Sequence, residues 1–107
     1  MSTDRELLEL AAKAVGIDLQ ENMYEDNDYY YVVNNECIGW HPLADDGDAL
    51  RLAVKLELDI LFYRKHVDVC DNTKTQNVAA EEFTSGRDLA VRRAIVRAAA
   101  EIGRAMP

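Results

Sequence analysis

Cys37-x-x-x-His41 and His66-x-x-x-Cys70 are the residues of this chain best suited to chemistry: two mirrored Cys/His pairs, together the ligand types of a tetrahedral Cys2His2 zinc centre. Neither half has the tight Cys-x-x-Cys spacing of a zinc knuckle, and a buried cysteine often serves as a small apolar residue. A small zinc-binding domain therefore stands as an alternative reading, and no cofactor is assigned. Cys37 with His41 or His66 can also be read as a thiolate-imidazole pair, but nothing local marks a site for an oxyanion. Asp45-Asp46-Gly47-Asp48 resembles part of a calcium loop. Setting Gly47 at the sixth position, however, places Pro42 where the first carboxylate ligand belongs, and helix capping already accounts for Asp45 and Asp48. There is no phosphate-binding Walker loop, dinucleotide fingerprint or nucleophile elbow. The chain reads as a non-enzyme with no catalytic residue.

Charge is more informative. The chain has 12 Lys and Arg against 20 Asp and Glu, a formal net charge of -8. That balance opposes direct binding to nucleic acid or to an anionic membrane. Between Lys13 and Arg51 no cation occurs, while Asp18, Glu21, Glu25, Asp26, Asp28, Glu36, Asp45, Asp46 and Asp48 all do. The last 23 residues reverse the sign, with Arg87, Arg92, Arg93, Arg97 and Arg104 against Asp88 and Glu101. Such a dipolar chain can turn an acidic face to a basic partner and keep the basic segment for another surface or for internal pairing.

These residues must be positioned by short elements, because 107 residues suffice for one ordinary domain, here 1-107. Thr3-Asp4-Arg5-Glu6 has capping-box spacing, Leu7, Leu8, Ala11, Ala14 and Val15 follow at helical intervals, and Gly16 with Ile17 forms a stop, predicting a helix from Asp4 to Val15. Tyr29 to Val33 has strand composition, Asn34-Asn35 suits a hairpin turn, and Cys37 to Trp40 is the returning arm. Asp45 to Asp48 caps a second helix with Ala49, Leu52, Ala53 and Leu56 inward. From Ile60 to Cys70 alternation predicts a strand with Leu61, Tyr63, Val67 and Val69 on one face and a bend near Lys65. Asp71-Asn72-Thr73-Lys74 reads as a turn and Thr75 to Ala80 as a return strand centred on Val78. Ser85-Gly86 opens a last helix whose stripe is Val91, Ala94, Ile95, Ala98, Ala99 and Ile102. The order predicts an α+β domain in which a small antiparallel sheet of two hairpins is covered by three helices.

The run Gly39-Trp40-His41-Pro42-Leu43-Ala44-Asp45-Asp46-Gly47-Asp48-Ala49-Leu50-Arg51-Leu52-Ala53-Val54 resembles the phage ABA sandwich domain family, in which a Trp-x-Pro element precedes an Asp-rich cap and an Ala/Leu-rich helix. The resemblance implies an α-β-α layered sandwich and a phage or prophage origin. It transfers no activity and no catalytic residue. Trp40 and Pro42 themselves read as structural, an aromatic anchor and a fixed turn.

Together these readings predict a non-catalytic phage accessory protein that binds a protein partner through Glu25, Asp26, Asp28 and Glu36. Clustered carboxylates can occupy a groove built for phosphates, so inhibition of a host defence complex such as a CRISPR effector fits. A self-assembling structural role, with the last helix in a homodimer, is the alternative. No apolar run approaches the roughly 20 residues of a membrane span, and the charged start Met1-Ser2-Thr3-Asp4-Arg5-Glu6 is unlike a signal peptide. The expected location is the cytoplasm of a bacterial host.

Overall fold

The computed structural model describes residues 3-26, 28-71, 78-84 and 86-107. Its elements are α1 (Asp4–Val15), β1 (Gln20–Glu21), β2 (Tyr29–Val33), β3 (Glu36–Gly39), α2 (Asp46–Lys55), β4 (Leu58–Phe62), β5 (His66–Asp71), β6 (Val78–Glu82) and α3 (Arg87–Ala105). The class is α+β, with three helices and two small antiparallel sheets ordered β1-β2-β3 and β4-β5-β6 among the described residues. The expected single sheet of two hairpins is thus replaced by two sheets, each hairpin having gained a third strand.

Helix α1 follows its sequence signals closely. The Thr3 hydroxyl accepts from the Glu6 amide at 3.1 Å, and Gly16 ends the helix at φ 75°, where a side chain would be strained. The Gly16 and Ile17 amides then donate to Lys13 and Ala12, closing the last orphan carbonyls. Asp45 caps α2 by accepting from the Asp48 amide at 2.8 Å. No glycine ends α2; Glu57 takes positive φ instead, at 54°.

Helix α3 is the hub. Ala94, Ile95 and Val96 are buried in succession, and since neighbouring helical residues point about 100° apart, α3 must be covered on several sides. Helix α1 lies on one side, β5 and β6 on another, and α2 packs beside them. Burial extends beyond the expected stripe to Ala90, Val96, Ala100 and Gly103, while Val91 and Ile102 are only half-buried. The small side chains let α1 approach closely. A β-carbon on Gly103 would sit 1.9 Å from the Leu10 carbonyl oxygen.

The predicted strand from Ile60 to Cys70 is instead a hairpin. Strands β4 and β5 pair from Leu58 opposite Asp71 to Phe62 opposite Val67, and the Tyr63 amide donates to the His66 carbonyl across the Arg64-Lys65 turn. This reversal, lying where the bend was expected, moves Leu61 to the face of Asp68 and leaves Leu61 and Tyr63 exposed while Val67 and Val69 are fully buried. In β6 the pairing with β5 runs from Val78 opposite Cys70 to Glu82 opposite His66, two residues beyond the predicted end at Ala80. Of the expected turn, Asp71 instead ends β5, paired opposite Leu58, while Asn72-Thr73-Lys74, the strand start at Thr75 and the cap residue Ser85 lie outside the described residues. One buried cluster joins all three helices to both sheets, with Tyr29 and Trp40 entering it from the first sheet.

Candidate functional site

The β1-β2 connection is the most conspicuous surface element. Met23 and Tyr24 are 83% and 91% exposed, and Glu25 and Asp26 beside them are exposed too. These two large side chains stand in water and contribute nothing to the core. The loop that carries them is held at its base. The Asn22 amide donates to the Asp28 carbonyl at 2.8 Å, the Asn22 side chain donates to the Asp28 carboxylate at 2.9 Å, and the Tyr24 amide donates back to the Asn22 side-chain oxygen at 3.0 Å. This last contact is the turn geometry that favours Asn at such a position.

His41 extends the anchor into the fold. Its Nε2 lies 2.9 Å from Asp28 Oδ1 and 3.4 Å from the Tyr29 amide nitrogen. One nitrogen cannot both donate and accept, and the shorter contact assigns the proton to Nε2, donated to Asp28. The His41 amide donates to Asp48 Oδ2 at 2.8 Å, and Arg51 donates to the other Asp48 oxygen at 2.6 Å. A chain of polar contacts therefore runs from the loop through His41 to α2. Asn22 first and His41 second hold the Asp28 carboxyl below its ordinary pKa.

Of the four predicted contact residues, Glu25 and Asp26 share the exposed loop. Asp28 is close in sequence but turned inward, serving as the loop's anchor with its side chain 35% exposed. Glu36 is elsewhere: it pairs opposite Val33, so the five-residue β2, about 13 Å long, separates it from the loop. Met23 and Tyr24 are not among the predicted contact residues, whereas the sequence singles out His41 only as a candidate zinc ligand or thiolate partner. The signal of Met23 and Tyr24 was present only as two apolar residues in an acidic turn-rich passage.

The Cys/His set does not assemble. His66 and Cys70 occupy positions i and i+4 of one strand, about 13 Å apart, which is far beyond two bonds to a single ion. Cys37 sits on β3 of the other sheet, and His41 is engaged by Asp28. Among the described residues no group of three or more His, Cys, Asp or Glu converges as metal ligands. The two thiols are free, Cys37 exposed and Cys70 half-buried. Burial pushes the Cys70 thiol pKa up, with Asp59, Asp68 and Asp71 adding to it.

The internal pairing offered as one use of the basic segment is what α3 shows. Arg92 binds Asp46 at 2.6 Å and the Leu43 carbonyl at 3.0 Å, Arg93 binds Asp4 at 3.0 Å, and Arg97 binds Glu81. Several acids of the cation-free stretch are engaged as well: Glu21 with Arg5, Asp28 with His41, and Asp45, Asp46 and Asp48 in the cap and its arginines. Asp18, Glu25, Asp26 and Glu36 form no ion pair with any described residue. Beside the β2-β3 hairpin runs a groove of about 620 Å³ lined by Ile17, Tyr31, Ile38 and Trp40, in which Asp18 and Asp48 balance Arg51 and Lys55.

No family model, curated protein or solved structure matches the chain. Among the described residues no helix is long and apolar enough to cross a membrane.

Proposed function

We propose that this protein is a non-catalytic phage or prophage accessory factor that binds a basic protein partner through the loop bearing Met23, Tyr24, Glu25 and Asp26. The supporting observation is the conjunction on one anchored loop of two highly exposed apolar side chains and two unpaired carboxylates. An aromatic anchor supplies contact area, and the adjacent charges supply orientation and fast encounter with a positive surface. A groove that handles nucleic acid presents both cations for phosphates and flat surfaces for bases, so it fits this tip better than an average protein face. A host defence complex such as a CRISPR effector is a partner of that chemistry. The three helices and two sheets are, on the same reading, a variant of the layered α-β-α sandwich of the phage family that the Trp40-x-Pro42 run resembles.

The test is capture from nuclease-treated host lysate on immobilised protein, elution with rising salt, and identification by mass spectrometry. The reading expects a nucleic-acid-handling protein released by salt, and it expects Tyr24→Ala to lose most of it. Recovery of nothing, or only of further copies of this chain, would contradict it and favour self-assembly.

A further inference from the structure

We propose that the cleft between the β4-β5 turn and the start of α3 binds an organic phosphate of mononucleotide size. The cleft has a volume of about 560 Å³ and is lined by Arg64, Lys65, His66, Glu82, Phe83, Thr84, Gly86 and Arg87. Its distinguishing feature is how its cations are used. Arg5, Arg51, Arg92, Arg93, Arg97 and Arg104 each lie against a carboxylate of this chain. Arg64, Lys65 and Arg87 form no such pair among the described residues, nor do Lys13 and Lys55, and the same cleft gathers three of these five cations. Glu82 is the one acid in the lining, so two positive charges remain unbalanced in a molecule whose net charge is -8.

Acidic proteins disperse or pair isolated cations at little cost, so three unpaired ones facing a common concavity mark a place for an external anion. Phosphate suits them because arginine presents a planar fork of donors and lysine a compact charge. The remaining surface is aromatic. Arg87 lies over the Phe83 ring at 4.8 Å from its centre, and His66 stacks on Tyr63 with centroids 4.6 Å apart and planes within 6°. Phe83 and His66 line the cleft beside the charges, each with one ring face already covered by its neighbour, so a base would meet only the ring surface that remains. The volume falls within the range of small-molecule sites, about 300–1,000 Å³. A backbone contact from the Phe83 amide to the Lys65 carbonyl, 3.0 Å, fixes the two walls to each other.

Titration of the whole chain with ADP, adenosine, inorganic phosphate and a single-stranded oligonucleotide, followed by calorimetry and amide chemical shifts, tests this. ADP is expected to bind with shifts centred on Arg64, Lys65, Phe83 and Arg87, and adenosine and inorganic phosphate to bind about tenfold more weakly or not at all. Arg64→Ala/Lys65→Ala should reduce ADP affinity about tenfold, whereas the distant Lys55→Ala leaves it unchanged. Arg87→Gln provides a second variant should the turn substitution disturb folding. Equal binding of ADP and inorganic phosphate, shifts elsewhere, unchanged affinity in the folded variants, or an oligonucleotide binding far more tightly than ADP would each overturn the proposal. The residues are distinct from those of the acidic loop, so the two readings fail separately.

Discussion

Asp28 shows how one carboxylate can serve position rather than contact. Its folded pKa lies below the ordinary value, through Asn22 and then His41, so its anchoring contribution is complete above the ordinary carboxylate range and is lost as pH falls through the folded value. Acidification through the folded value should therefore lower the protection of the Asn22 and Tyr24 amides, read as hydrogen exchange relative to the intrinsic rate at each pH. Asp28→Asn should abolish that acid dependence; an unchanged dependence in the variant would show that other groups hold the loop. The two cysteines give a second check at this scale. Cys70 is half-buried among carboxylates that disfavour its thiolate, and Cys37 is exposed. A thiol reagent should label Cys37 first, by mass spectrometry of the partly reacted protein, and faster labelling of Cys70 would contradict the structure.

The elements rest on helix contacts that small residues permit. At Gly103 an added methyl would meet the Leu10 backbone, and backbone cannot swing aside as a side-chain tip can. Helix propensity alone would favour Gly103→Ala by about 1 kcal/mol. The clash opposes it, since overpacking costs about 1–3 kcal/mol and here forces α1 from α3. Thermal unfolding should thus show a net loss of up to about 2 kcal/mol, or a Tm lower by up to about 16 °C. A stabilised variant would mean that α1 and α3 are not so close. The local signals that proved readable were those with a conformational requirement. Asn34 and Asn35 both take positive φ, 52° and 65°, which explains why two asparagines mark the first hairpin. Arg64-Lys65 turns without positive φ, so no Gly or Asn betrays it, and the break in alternation at Lys65 reads as a bend within one strand rather than as a reversal. Strand β1, two residues long, carries no periodicity at all. The candidate loop was legible as acidic but not as an apolar tip, because exposure of Met23 and Tyr24 is a tertiary fact.

At the scale of the whole molecule, internal pairing sorts the charge that the sequence only counts. The arginines of α3 fasten Asp4, Asp46 and Glu81, while capping and His41 engage much of the acidic stretch. What remains outward is narrower than the nine-carboxylate run: the β1-β2 loop at one end of β2, Glu36 at the other, Asp18 in the groove beside the hairpin, and a basic cleft on the second sheet. Long-range steering would come from the net charge and is screened beyond about 8–10 Å at ordinary salt, so the proposed function assigns specificity to Met23, Tyr24 and their two neighbours at contact. The most direct test is to compare capture of the basic partner by the wild-type protein and by Glu25→Lys/Asp26→Lys, quantified at low and physiological salt with circular dichroism confirming the fold. The account predicts that the charge-reversed protein retains at most about one tenth of the partner, with wild-type binding weakening as salt rises. Equal retention by a folded charge-reversed variant would contradict it.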